Sequence, residues 1–74
     1  MSGHTTEKLI YMANQIARNV THEPDPAAMI AEHIEAFWSP RMKADVFAVL
    51  GKAEGALLDP AARAALEQLA SHAA

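Results

Sequence analysis

The sequence predicts an all-α fold, a small bundle of four helices, and three observations carry that expectation. Asp25-Pro26, Ser39-Pro40 and Asp59-Pro60 each set a capping side chain before a proline, the signature of a helix start. Between these points apolar residues recur at helical rather than alternating spacing. Alanine is abundant, and neither an Asn-Gly nor an Asp-Gly pair marks a hairpin.

The first helix is expected over residues 7–20, with Thr5 or Thr6 as its N-cap and Glu7 favourable in its first turn. At about 100° per residue, Leu9, Met12, Ala13, Ile16 and Val20 fall on one arc. Glu7, Asn14, Gln15 and Arg18 fall on the opposite arc, with Tyr11 at its middle. The helix stops at His22-Glu23-Pro24, because a residue before proline is pushed out of helical geometry. A second helix follows over residues 26–38, its apolar arc formed by Ala27, Ile30, Ala31, Ile34, Phe37 and Trp38. Ser39 must then leave helical geometry, so the chain turns sharply at Trp38-Ser39-Pro40 and a third helix spans residues 40–50. Gly51 suits the position after that helix, and residues 51–58 read as a loop. Asp59-Pro60 opens the fourth helix, residues 60–71. The expected core contains Leu9, Met12, Ile16, Ile30, Ile34, Phe37, Val46, Leu50, Leu66 and Leu69. The whole chain, residues 1–74, reads as a single helical domain, with residues 1–5 a flexible tail and residues 72–74 a frayed end.

Composition narrows function. The chain has 74 residues, no cysteine, 6 Lys+Arg against 9 Asp+Glu, and a formal net charge of -3. With 51% apolar residues it is too hydrophobic for a disordered segment. The mildly acidic balance and the lack of a Lys/Arg run argue against nucleic acid and against anionic membranes as partners. No apolar stretch approaches the ~20 residues that span a bilayer. The first seven residues give no basic region followed by an apolar segment, so a cytoplasmic protein is expected. Without cysteine there is no disulfide, thiol nucleophile or cysteine-ligated cluster, and the three glycines do not space as a phosphate loop.

No catalytic, cofactor-binding or metal-binding residue emerges. The four histidines (His4, His22, His33, His72) form no HxxxH or HExxH pair, and His33 reads as a boundary residue beside Met29 and Phe37. Ser2, Ser39 and Ser71 fall in the tail, at a helix cap and at a helix end, and no nucleophile–base pair stands out. The surfaces say more. Tyr11 among Asn14, Gln15 and Arg18 has the composition of an interface. The third helix carries an alanine-rich side, Ala44 and Ala48 with the i, i+4 pair Arg41 and Asp45, which suits either close approach by a partner or simple helicity. Phe37 is assigned to the core, whereas Trp38 fits a core anchor or a partner anchor equally well. Tyr11, Asn14, Gln15, Arg18, Trp38 and Arg41 are therefore the candidate partner-binding residues. For Asn14 and Gln15 the alternative is hydrogen bonding within the domain.

Two blocks carry a resemblance that periodicity alone does not. Lys8-Leu9-Ile10-Tyr11-Met12-Ala13-Asn14-Gln15-Ile16-Ala17 resembles the opening of the delta subunit of NAD-dependent formate dehydrogenase. Ile30-Ala31-Glu32-His33-Ile34 and Phe37-Trp38-Ser39-Pro40-Arg41-Met42 are similar to that family's second block, at matching separation. Leu57-Leu58-Asp59-Pro60 resembles its weaker C-terminal pattern. Asn19-Val20 stands where aromatics are frequent in the family, and Ser39 where aspartate is frequent. Serine caps a helix as aspartate does.

The resemblance implies an accessory subunit of a cytoplasmic molybdenum-containing (in some relatives tungsten-containing) formate dehydrogenase of alpha, beta, gamma and delta chains. It implies that the alpha subunit, which oxidises formate to carbon dioxide, holds bis-molybdopterin guanine dinucleotide and iron–sulfur clusters, while other subunits hold FMN, further clusters and the NAD site. The delta chain itself is then expected to be non-catalytic and to stabilise or assemble the alpha subunit. A transient maturation chaperone and a free-standing helical adaptor are the alternatives.

Overall fold

The computed structural model describes residues 6–73. Among them four helices and no strand are present: α1 (Thr6–Asn19), α2 (Pro26–Phe37), α3 (Pro40–Val49) and α4 (Pro60–Ala73). The expected loop before α4 instead contains a short 3-10 helix, Ala53–Leu57. Helix α4 runs to Ala73, two residues past its expected end, and Thr6 is the first helical residue of α1 rather than its cap. Thr5, the rest of the expected N-terminal tail and Ala74 lie outside the described residues.

The three proline starts work as their chemistry requires. Asp25 Oδ1 accepts from the Ala28 backbone N–H at 3.2 Å, Ser39 Oγ from Met42 at 3.2 Å and Asp59 Oδ1 from Ala61 at 3.1 Å. Each cap satisfies a backbone donor that the helix itself leaves unpaired. At the α2–α3 corner Lys43 reaches back, with Nζ 3.4 Å from the Glu35 carbonyl and 3.5 Å from its carboxylate. That contact covers one of the free carbonyls in the last turn of α2.

The core is built from all four helices and from Leu58, at the end of the 3-10 segment. α2 shares its largest interface with α4, and Ile30 and Ile34 of α2 and Ala62, Ala65 and Leu66 of α4 all belong to the buried core. Alanine on α4 lets the two helices approach closely, and each buried Ile or Leu contributes about 1.5–3 kcal/mol. α1 packs on the other three helices, so it closes the bundle.

Comparison with the expected core shows where helical phase misleads. Leu9, Ile30, Ile34, Val46 and Leu66 are fully buried, while Met12, Ile16, Leu50 and Leu69 flank the core half-buried. On α1 the buried stripe is Leu9, Ile10, Ala13 and Ala17, rotated away from the expected arc. Phe37 is the clear correction: it is 74% exposed, whereas its neighbour Trp38 is 6% exposed. Trp38 stands four positions beyond buried Ile34, so it nearly repeats that direction, whereas Phe37, at three positions, is turned about 60° aside. Trp38 also leaves the helix in extended geometry with its N–H still bonded to the Ile34 carbonyl at 2.9 Å, which swings the indole inward.

Arg63 locks the 3-10 segment. Its Nη1 donates to the Gly55 carbonyl at 3.0 Å, its Nη2 to the Leu50 carbonyl at 3.2 Å, and its Nε to Glu67 at 3.2 Å. Gly55 is buried beneath this fork, where a Cβ atom would lie 2.7 Å from the Val49 carbonyl oxygen. Only glycine lets the segment pass so close to the end of α3.

Candidate functional site

Two exposed surfaces are concentrated enough in chemistry to serve a partner. The first is the outer face of α1. Tyr11 is 64% exposed, and its hydroxyl accepts a 3.2 Å hydrogen bond from Gln15 Nε2 one turn later. Arg18 continues this ridge and has no ion-pair partner among the described residues.

Asn14, on the same helix, is turned to the fold instead. Its Nδ2 donates to the Leu57 carbonyl at 3.0 Å and its Oδ1 accepts from the Asp59 N–H at 2.7 Å. It thereby pins the start of α4 to α1 across more than forty residues of sequence. Two hydrogen bonds at about 1 kcal/mol each make Asn14→Ala a stability variant. It is expected to lower the melting temperature by about 4–8 °C per kcal/mol lost, measured by circular dichroism. A Gln15→Ala control, losing only the bond to Tyr11, should melt close to wild type.

The remaining candidates separate. Trp38 is 6% exposed and takes the core position of its two readings. Arg41 is exposed on α3, with Nε 3.5 Å from Asp45 Oδ2 in the expected i, i+4 pair. The six residues therefore do not form one patch: Tyr11, Gln15 and Arg18 share a ridge, Asn14 is a structural clamp, and Arg41 stands on another helix.

The second surface was not among the expected site residues. A groove of about 320 Å³ lies between the end of α1 and the length of α2, lined by Ile16, Val20, Met29, Glu32, His33, Ala36 and Phe37. Met29, His33 and Phe37 follow one another at intervals of four, so they form a single row along α2. The His33 and Phe37 rings are 4.8 Å apart and tilted by 41°. That spacing of four was the available signal. A core position for Phe37 conceals it.

The described residues hold no group of three or more His, Asp or Glu side chains placed to bind a metal. The polar groups of the groove are one carboxylate, Glu32, and one imidazole, His33.

Against this geometry one comparison is specific. The family model of the NADH-dependent formate dehydrogenase delta subunit, FdsD, matches residues 8–66, from α1 into α4. The chain belongs to the FdsD family. Comparisons with curated proteins and with solved structures give no match. Membership in this delta-subunit family makes the chain an accessory component of a formate dehydrogenase complex. No helix among the described residues is long and apolar enough to cross a membrane.

Proposed function

We propose that this delta-family chain is a non-catalytic subunit that binds the large alpha subunit of formate dehydrogenase and stabilises its assembled, cofactor-loaded state. The observation that carries this reading is Phe37. It lies in a sequence block that resembles the family, yet the fold leaves it 74% exposed. A large aromatic that the core does not use is the residue type that anchors interfaces. Tyr11 at 64% and Leu57 at 63% exposed add further large apolar side chains to the surface. On this reading molybdenum with its pterin cofactor, the iron–sulfur clusters, FMN and the NAD site all belong to partner subunits, and the complex works in the cytoplasm.

The test is purification of the formate dehydrogenase complex through a tag on the alpha subunit, with each chain quantified. The expected result is this chain in stoichiometric amount in the mature, active enzyme. Its presence only on alpha subunit that lacks molybdenum identifies a maturation chaperone instead. Absence of the chain from every formate dehydrogenase fraction overturns the reading in favour of a free-standing adaptor.

A further inference from the structure

We infer that the α1–α2 groove is the docking site for a basic, amphipathic segment of the formate dehydrogenase large subunit, with Phe37 as its apolar anchor and Glu32 as its charge contact. The inference rests on the proposed function and deepens it, because it names the surface and the chemistry of what covers it.

Three features select this occupant. The first is preorganisation: the His33 ring, 4.8 Å away, holds the exposed Phe37 ring from the side, so less rotamer freedom is lost when a partner packs on it. The apolar wall formed by Ile16, Val20 and Met29 completes a slot of about 320 Å³, room for a large apolar side chain or two of a partner.

The second feature is charge. Of the two carboxylates on the exposed side of α2, Glu35 is engaged by Lys43 at 3.5 Å, whereas Glu32 has no cationic partner among the described residues. Glu32 lines the groove itself, and no lysine or arginine does. An apolar slot edged by one uncompensated carboxylate is complementary to a segment carrying large apolar side chains with a lysine or arginine beside them.

The third feature weighs against a second copy of this chain as the natural occupant. In a two-fold dimer each copy presents the same face to the other. Joining two copies through this groove buries both Glu32 carboxylates in one interface and sets only the two His33 imidazoles, with no lysine or arginine, to face them. Like charges at an interface oppose association. A heterologous partner escapes that conflict.

The test measures binding of the full chain to the large subunit by calorimetry over a range of salt concentrations. Wild type, Phe37→Ala, Glu32→Gln and Glu32→Lys are compared, each first shown to melt like wild type. Phe37→Ala is expected to weaken binding by about thirtyfold, the loss typical of an anchoring aromatic. Glu32→Gln should weaken it less and flatten its salt dependence, and Glu32→Lys should weaken it more than Glu32→Gln. Analytical ultracentrifugation of the chain alone should show a monomer. Wild-type binding that Phe37→Ala leaves intact overturns the groove while the proposed function stands. A dimer of the isolated chain that Phe37→Ala dissolves also overturns it, because the occupant is then a second copy. Failure of the wild-type chain to bind the large subunit at all overturns both.

Discussion

Trp38→Ala is expected to lower the melting temperature by at least about 12 °C, while Phe37→Ala, one residue away, leaves the melting curve nearly unchanged. Trp38 is 6% exposed and fills the core at the corner between α2 and α3. Its removal takes the largest side chain out of that core, and a buried tryptophan or phenylalanine cut to alanine costs about 3–5 kcal/mol. A domain of this length has about 4–11 kcal/mol of total stability, so one such cavity removes between about a quarter and all of it. Burial of Trp38 also strands no polar atom, since no buried side-chain nitrogen or oxygen among the described residues lacks a partner. The loss is therefore not offset by relief of a buried polar group. Phe37 has three quarters of its surface in water, and its truncation removes little beyond the contact with His33, within about 0.5 kcal/mol. Thermal unfolding followed by circular dichroism is the measurement. A fall of at least about 12 °C for Trp38→Ala is expected beside a shift of a few degrees at most for Phe37→Ala. Equal melting of the two variants, or a larger loss for Phe37→Ala, shows the corner to be packed the other way round.

This pair also shows what could be read from the sequence. Helix starts were legible because a capping side chain followed by proline has a local cause: the cap bonds a backbone donor two or three residues on, as Asp25, Ser39 and Asp59 do. Helix phase was less legible, because phase depends on where neighbouring helices stand. Ile10 and Ala17 are buried since α1 leans on three helices at once, a fact no hydrophobic arc within α1 contains. Alanine compounds the difficulty: Ala62 and Ala65 are core, Ala44 and Ala48 are surface, and their residue type is the same. The loop before α4 hides its order for a related reason. It is fixed by the Arg63 fork and the Asn14 clamp, both of which reach across the chain to backbone carbonyls or N–H groups. Asn14 hydrogen-bonds within the domain, to Leu57 and Asp59. The groove residues stood in the sequence as a visible row of four-spaced positions, Met29, His33 and Phe37. Only the packing of Trp38 says that this row faces outward.

Deleting the chain is expected to reduce formate-dependent NAD reduction by lowering the amount of intact enzyme, with the chemistry of the surviving enzyme unchanged. On the proposed function, the chain binds the assembled alpha subunit and not its unfolded or disassembled forms. Mass action then raises the population of the assembled state, and saturation at about 100 times the dissociation constant contributes about 2.7 kcal/mol, close to a hundredfold in that equilibrium. An effect of this size decides whether a large cofactor-loaded subunit persists at cellular concentrations. The sequence has no cysteine, and the polar groups of the groove are a carboxylate and an imidazole on an open surface. On the proposed function the chain is non-catalytic, so kcat per bound molybdenum and KM for formate should stay near their values in the full complex. The measurement is molybdenum content, subunit stoichiometry and steady-state kinetics of enzyme made with and without the chain. A second arm replaces it by the Phe37→Ala variant, which should fold but behave as a partial deletion if the groove is the contact. Low molybdenum content with normal turnover per molybdenum is the expected outcome. Full molybdenum occupancy with a collapsed turnover number means that the chain acts on catalysis itself, and the stabilising role is then wrong.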